Sequence, residues 1–454
     1  MKRRILWAIA IALASPQAAL AADRGMPGMD MSGRPMAMPS TQPMSCSCTT
    51  ADALAPFGMA PMPGMNPLMT RDAALGSGTS VLPVRSPMRM VGFEAGGFSW
   101  MLHGNAVLGW DHQGGPRGTD TWTAPNWAML MGSRYAGPGI LDLHLMMSLD
   151  ALTLPPGGTP ELFQTGETYQ GVPLVDKQHP HDLFAELAAM YTLNLQHQTA
   201  LFLYGGPAGE PALGPTAFMH RPSAMDNPWA PLGHHWQDAT HISYGVVTAG
   251  VRHQSCQLEA SLFNGREPDE NRYNFDFGPL DSYAARFSYF PGSNWISQVS
   301  FGHLTDPEVT SPGVDINRTT ASLTYVSPRP GGAWSTSFIW GQNVELESTP
   351  LTLQSYAVES DLDLDRANHV YGRFELVDKN ELYVPQLGND MIFRVGALTL
   401  GGVHDLVTSP RGDLGLGADF TVYSKPAALD PYYGFNPVSF LLYVRVRPPL
   451  MSAS

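Results

Sequence analysis

From Phe98 to the end of the chain, apolar and polar residues alternate with a period of two in many short segments. In the segment 255–263, for example, Leu258 and Leu262 fall on one face, whereas Gln257 and Glu259 fall on the other. A period of two is that of a β-strand, so this part of the chain is predicted to be all-β. The apolar faces expected from the pattern include Leu141, Leu143 and Leu145, Ile242, Tyr244 and Val246, and Leu258, Leu262 and Phe287.

The lengths of the connections distinguish a transmembrane barrel from a soluble β-sandwich. Strands are expected to begin near residues 98, 126, 140, 182, 199, 240, 254, 281, 295, 318, 333, 351, 368, 391, 413 and 437. The connections at 111–125, 151–181, 205–239 and 264–280 are long, whereas those near 136–139, 252–255 and 291–294 are short. Short periplasmic turns that alternate with long outer loops are typical of bacterial outer-membrane barrels, whose apolar faces point to lipid.

The pattern therefore predicts a transmembrane antiparallel β-barrel of 14 to 16 strands with both termini in the periplasm. Sixteen strands are counted, and 14 stays open because Asp182–Leu193 also fits a helix. Cys256 shares the parity of Leu258, so its thiol is expected to face lipid and to be inert.

The N-terminus has the features of a secretory signal. Three basic residues, Lys2–Arg4, precede an apolar run, and the small residues around Ala21 fit a signal-peptidase site. No later apolar stretch is long enough for a membrane-spanning helix. We expect a signal peptide at 1–21, export by the Sec route to the outer membrane, an N-terminal arm at 22–90 and a barrel at 91–454.

The arm is rich in Met, Pro, Gly and Ser and has no period of 2 or 3.6 residues, so it is predicted to be disordered. Because a disordered arm has no core to fill, its methionines are candidate ligands, and thioether and thiolate sulfur select Cu(I). The expected ligands are Met26, Met29, Met31, Met36, Met38, Met44, Cys46 and Cys48. The alternative is an unselective flexible linker.

A signal peptide, a Met-rich tail and a C-terminal barrel together resemble the copper-resistance outer-membrane protein B family. The resemblance lies in this organisation and in the M-x-G-M and M-x-M repeats within Met26–Met38. It covers the tail specifically and the barrel only generically, because that family's barrel motifs are not found here. The resemblance implies a role in copper tolerance at the outer membrane, carried by the tail methionines.

Two of the long connections are rich in histidine, within the segments D-K-Q-H-P-H-D, F-M-H-R-P and G-H-H-W-Q-D-A-T-H. Neutral imidazole binds Cu(II), Zn(II) or Ni(II), so loops that cap the outer mouth of the barrel could form a metal site. The alternative is that these rings hydrogen-bond to loop backbone and fold the loops into the lumen. The candidate ligands are His179, His181, Asp182, His220, His234, His235 and His241.

The inward faces of the strands are expected to carry charges of both signs. Opposed charges across a lumen select small polar solutes, whereas the same charges paired in salt bridges would close it. The sequence alone does not decide between an open and a closed lumen. The expected lumen residues are Glu259, Arg286, Arg373, Glu375, Arg394, Asp419, Arg445 and Arg447.

The sequence thus predicts an outer-membrane barrel for copper or heavy-metal binding, tolerance or transport. The alternative is a general porin-like channel for small polar solutes with an incidental Met-rich tail. A formal charge of −14 excludes a basic nucleic-acid footprint. His241 and Ser243 have the spacing of an outer-membrane phospholipase pair but lie on the inward parity, so no enzyme is expected. The expected partners are outer-membrane lipid and a periplasmic copper protein, with copper as the candidate ion and no obligatory cofactor.

Overall fold

The computed structural model describes residues 54–57, 66–384, 386–387 and 391–451. The signal peptide and the candidate ligands Met26–Met44, Cys46 and Cys48 lie outside these residues, so their predicted roles stay predictions. Among the described helices, none is long and apolar enough to cross a membrane.

The wall of the molecule is a closed antiparallel barrel of 16 strands, which confirms the predicted fold class. The region predicted as strand or helix, 182–193, is a strand. The strands are β1 Phe98–Gln113, β2 Asn126–Ala136, β3 Gly139–Met147, β4 Phe184–Leu195, β5 Thr199–Gly209, β6 Ser243–His253, β7 Cys256–Phe263, β8 Ser282–Tyr289, β9 Trp295–Leu304, β10 Ile316–Arg329, β11 Gly332–Glu345, β12 Leu351–Asp363, β13 Asn368–Lys379, β14 Phe393–Ser409, β15 Gly412–Ser424 and β16 Val438–Arg447.

The barrel closes where β1 pairs antiparallel with β16, from Ala106 opposite Val446 to Gln113 opposite Ser439. Two short strands, Val91–Ala95 and Asp120–Thr123, pair only with β1 at its two ends. The turns at 137–138, 196–198, 254–255, 290–294, 330–331, 364–367 and 410–411 are short. They all lie at one end of the barrel, and the longer loops lie at the other, as predicted.

The outer face of the wall is apolar and the inner face is polar. On β7 and β8, Leu258 and Phe287 are about half exposed, whereas Gln257 and Arg286 are buried inside. The polypeptide therefore turns its hydrophobic side chains to lipid, because no soluble protein surface carries a continuous apolar belt of this size.

The predicted lipid-facing side of one strand, β6, is wrong. Ile242, Tyr244 and Val246 are buried and point into the barrel, and Val247 takes the lipid side instead. The reason is that the preceding loop folds inward and supplies apolar partners at this end of β6, where the Tyr244 ring also packs on Phe275.

The lumen is filled by three inserted segments: residues 66–90, a hairpin formed by Thr159–Tyr169 and Val172–Gln178, and the loop 210–242. Short helical turns shape these and other connections. They are Ala55–Phe57, Pro67–Asp72, Asp150–Thr153, Phe218–His220, Pro222–Ala224, His234–Gln237, Ala239–His241, Ala427–Leu429 and Asp430–Tyr433.

The segment 66–90 belongs to the arm that is predicted to be disordered, and this part of the prediction is wrong: the segment is folded inside the barrel. Its helix begins at Pro67, where the Asn66 side chain accepts a hydrogen bond from the Leu68 N–H and caps the first turn. Arg71 then forms a bidentate ion pair with Asp142 on β3, with N–O distances of 2.7 and 2.9 Å. Local composition could not reveal this partner, which lies 71 residues away.

Candidate functional site

Five of the predicted histidines come together inside the barrel: His179, His181, His234, His235 and His241. We call them the histidine cluster. Each ring has at least one other ring of the cluster as a neighbour, with centroids 5.1 to 6.1 Å apart. Two separate insertions, the 148–183 loop and the 210–242 loop, therefore meet at one place.

Close packing against two glycines explains how the loop 210–242 reaches the cluster. The helical turn His234–Gln237 rests on Gly341 of β11, where a Cβ atom would lie only 2.2 Å from the Trp236 carbonyl oxygen. At Gly166 a Cβ atom would lie only 2.3 Å from the ring of His235, and the φ of +121° also favours glycine there. Both contacts need a glycine, so the sequence provides the space in which these rings sit.

In all five imidazoles the Nδ1 atom lies within reach of an acceptor oxygen. The partners are Glu167 for His179 (3.1 Å), Asp150 for His181 (2.7 Å), Asp238 for His234 (2.6 Å), Glu267 for His235 (2.8 Å) and the Asp238 carbonyl for His241 (3.0 Å). An acceptor at Nδ1 holds the proton there and leaves the lone pair on Nε2. This is the arrangement that fixes the tautomer and orientation of metal-binding histidines.

The Nε2 atoms of His181, His235 and His241 are buried and have no hydrogen-bond partner. A buried polar atom without a partner costs about 1–3 kcal/mol, and native proteins carry few of them. Three such atoms in one cluster are therefore the feature of this site that most needs a ligand to explain it.

Burial keeps most of the cluster neutral. It lowers the pKa of His179 well below its ordinary value, with the Arg272 charge acting in the same direction. Burial also lowers the pKa of His241 well below the ordinary value, and that of His234 to a smaller extent. At His181 burial is opposed by the hydrogen bond to Asp150, which raises the pKa. Neutral imidazole is the form that binds metal ions.

The loops that carry the histidines enter the lumen from the end of the barrel that has the long connections. His234 is only 1% exposed, and Arg221 of the same loop reaches Glu359 in the middle of β12. Buried ion pairs between the loop 210–242 and the wall hold this loop inside the lumen. This agrees with the alternative interpretation, in which the loops fold inward.

Two predicted members of the site lie apart from the cluster. Asp182 pairs with Arg272 at 3.5 Å, and burial raises its pKa to about 6. His220 lies beside His103 on β1, with ring centroids 5.3 Å apart. Asp182 still acts on His181 through its charge, and His220 lies within electrostatic reach of His241.

Within the described part of the chain, one trio of acidic and histidine ligand atoms converges within 4.8 Å: Asp226, Asp363 and His369. Arg445 and Arg447 both pair with Asp226, so this trio is part of a salt-bridge network that already neutralises its carboxylates. In the histidine cluster the donor atoms are further apart, and binding of an ion would need the rings to turn toward it.

The predicted lumen charges point inward, with one exception. Glu259, Arg286, Arg373, Glu375, Asp419, Arg445 and Arg447 are buried. Arg394 is instead more than half exposed and pairs with Asp378 at 2.7 Å, because Phe393 and Val395 take the inward positions of β14. Most of the inward charges bind the inserted segments; Arg286, for example, pairs with Glu259 and Glu210.

Several residues near the site were missed by the sequence analysis. Met146, Met219 and Met225 line cavities beside the cluster together with His103 and His220. Only Met219, next to His220 in the F-M-H-R-P segment, had a local signal. Met225 lies in the same loop without a motif of its own, and Met146 lies on β3, which only the fold brings to this loop.

No protein-family model and no curated protein matches this sequence. Solved structures with a similar fold include an anion-selective porin from Comamonas acidovorans, with 11% identity and a TM-score of 0.49 over 77% of this chain and 99% of that chain. The outer membrane channel DcaP of Acinetobacter baumannii has 9% identity and a TM-score of 0.49 over 79% and 99%. OmpF of Salmonella typhi has 8% identity and a TM-score of 0.48 over 79% and 100%.

Proposed function

We propose that this protein is an outer-membrane barrel that binds a transition-metal ion, copper in the first place, inside a lumen closed by its own loops. The observation that carries the proposal is the histidine cluster, in which each Nδ1 has an acceptor and three buried Nε2 atoms have none. A purely structural histidine gains by using both ring nitrogens, so unpaired Nε2 atoms argue for a ligand.

The filled lumen decides what kind of transport such a barrel could support. The loop 210–242 is fixed to the wall through Arg221 and Asp226, both buried in salt bridges. Passage of any solute then requires movement of these segments, so metal binding and opening would be coupled. In this proposal the N-terminal arm delivers or receives Cu(I) on the periplasmic side, with a periplasmic copper protein as its partner.

The test is titration of the purified full-length protein in detergent with Cu(II) and with Zn(II). His234→Gln and His241→Gln are each expected to remove most of the affinity, and the double variant little more, because ligands of one ion act as a unit. Glu267→Gln, which removes the acceptor of His235, is expected to weaken binding about 10- to 100-fold. His253→Gln is the control, since this exposed ring bonds Thr199 at the other end of β6.

Independent, small losses in the single variants that add in the double variant would leave these histidines as loop scaffolding. Equal metal affinity in the wild type and all variants would overturn the proposal.

A second candidate is a channel for small polar solutes, as in the porin-like alternative. The polar inner face of a 16-stranded wall favours it. Single-channel recording separates the two functions: a constant conductance unaffected by copper supports the channel, and closed or copper-dependent conductance supports the metal role.

A further inference from the structure

Two adjoining cavities inside the barrel have walls rich in methionine and histidine. They share Asn105, Trp127, Met219 and Met225. We call them together the methionine chamber. The remaining sulfur and imidazole groups on its walls are Met88, Met146, His103, His181 and His220.

Two imidazoles of the chamber, His103 and His220, have no strong hydrogen-bond partner at Nε2. The Nε2 atom of His220 lies 3.4 Å from the Met146 sulfur, and thioether sulfur is only a weak hydrogen-bond acceptor. The Nε2 atom of His103 is buried without a partner. Met88, Met219 and Met225 are only partly buried, so these side chains are not completely enclosed by packing.

The distance between the His220 and Met146 donor atoms suits the ligation of one ion. Sulfur and nitrogen ligands bonded to a metal at about 2.3 and 2.0 Å in tetrahedral geometry lie about 3.5 Å apart. The His220 and Met146 atoms already have nearly this separation. The indole of Trp127 borders the same place, with its ring centroid 4.7 Å from that of His220 and 5.4 Å from that of His103.

We propose that the methionine chamber is a binding site for a soft monovalent cation, Cu(I) or its analogue Ag(I), with Met146 and His220 as ligands. His103 and Met219 complete the donor set, and the face of Trp127 shields the ion. Thioether sulfur with neutral imidazole selects Cu(I) over the hard cations Mg²⁺ and Ca²⁺. The charged side chains on the walls already have partners: Asp150 is bonded to His181, Arg89 to Asp413 and Arg447 to Asp226.

Burial lowers the pKa of His220 well below its ordinary value. The inference rests on the proposed metal-binding function and adds a second site of different chemistry. The histidine cluster offers nitrogen only and suits Cu(II) or Zn(II), whereas the chamber offers sulfur.

The test uses the full-length protein in detergent, titrated anaerobically with Cu(I) against a chromophoric Cu(I) chelator. We compare the wild type with Met146→Leu/Met219→Leu, which keeps the apolar volume and removes the sulfurs. The matched control is Met190→Leu, because Met190 is a buried methionine of the same apolar core that does not line either cavity. Heat-modifiable gel migration verifies that every variant is folded.

The expected result is that the double variant binds one equivalent of Cu(I) fewer than both the wild type and the control. The sites of the N-terminal arm contribute equally to all three proteins, so they cancel. Ag(I) is expected to quench the fluorescence of Trp127, measured as the difference between the wild type and Trp127→Phe, and this quenching is expected to vanish in the double variant.

Equal Cu(I) equivalents and equal quenching in all three proteins would overturn the inference. The proposed function fails separately, since it is measured with Cu(II) and Zn(II) on the variants of His234 and His241.

Discussion

Arg221, in the loop 210–242, forms two parallel hydrogen bonds to Glu359 on β12, with N–O distances of 2.9 Å each, and the same guanidinium also pairs with Asp238. All three side chains are buried. Asp238 in turn accepts the Nδ1 proton of His234. One arginine therefore joins the wall of the barrel to the histidine cluster.

We expect Arg221→Met to destabilise the protein by about 3–5 kcal/mol, because it leaves the buried Asp238 without its arginine and removes one of the two arginines that pair with the buried Glu359. It is also expected to release the loop and increase single-channel conductance. Urea unfolding in detergent and planar-bilayer recording measure the two effects. The control Arg266→Met breaks the exposed pair with Asp281, which is worth about 0–1 kcal/mol. Similar behaviour of both variants would show that the buried pair does not hold the loop.

The histidine cluster is expected to make stability depend on pH. His241 has a strongly lowered pKa in the folded protein and an ordinary value of 6.5 when unfolded, so the unfolded state binds the proton first. Its stabilising contribution is complete above about pH 6.5 and falls by about 1.4 kcal/mol per unit as the pH decreases below that value. The neighbouring groups are His181, His234 and Asp238.

Replacement by Gln removes this proton uptake. We therefore expect His241→Gln to become more stable relative to the wild type as the pH decreases from 6.5 to 5.5, measured by urea unfolding at each pH. A difference between the two proteins that is the same at every pH would contradict this prediction.

The lipid-facing surface can be tested by a charge. Val299, in the middle of β9, is 56% exposed, and Val309 in the following loop is 60% exposed. We expect Val299→Arg to lower the free energy of unfolding from lipid vesicles by about 2–4 kcal/mol, because arginine in the hydrocarbon region is poorly solvated. Val309→Arg is expected to change it by less than about 1 kcal/mol. Equal effects would place β9 in an aqueous environment.

The N-terminal arm remains a separate prediction. A peptide that covers residues 22–70 is expected to bind Cu(I) through its methionines and the Cys46/Cys48 pair. The thioethers do not titrate, so methionine-only binding should persist in mild acid, whereas imidazole sites lose metal near pH 6.5. Chelator competition at pH 7.5 and 5.5 measures this, and an affinity no higher than that of a Met-free peptide would contradict it.

The barrel could be predicted closely from the sequence because each strand carries its own evidence. Alternation is a local property, and the lipid outside imposes it on every strand, so the predicted starts of all 16 strands lie within about three residues of the observed ones. The exception at Ile242, Tyr244 and Val246 arises where a loop covers the inner wall. There an apolar inner face is as favourable as an apolar outer one.

The arrangement of the site could be predicted only in part. The histidine-rich segments identified the residues, and five of them do meet. Their place inside the lumen depends on contacts such as Arg221 with Glu359, 138 residues apart, for which no local pattern exists. The same holds for the methionine chamber, since Met146 lies on β3 and His220 lies in the loop 210–242.

The segment 66–90 precedes the first strand and yet lies inside the wall, bonded to β3 by Arg71 and to β15 by Arg89. Near the seam, Met88 and Met90 form backbone hydrogen bonds to Met451 and Pro449, just beyond β16. The last strand, β16, therefore pairs with the first strand, β1, next to the segment 66–90. We therefore expect closure of the barrel between β1 and β16 to depend on this segment, because its backbone hydrogen bonds to residues 449 and 451 lie next to the seam.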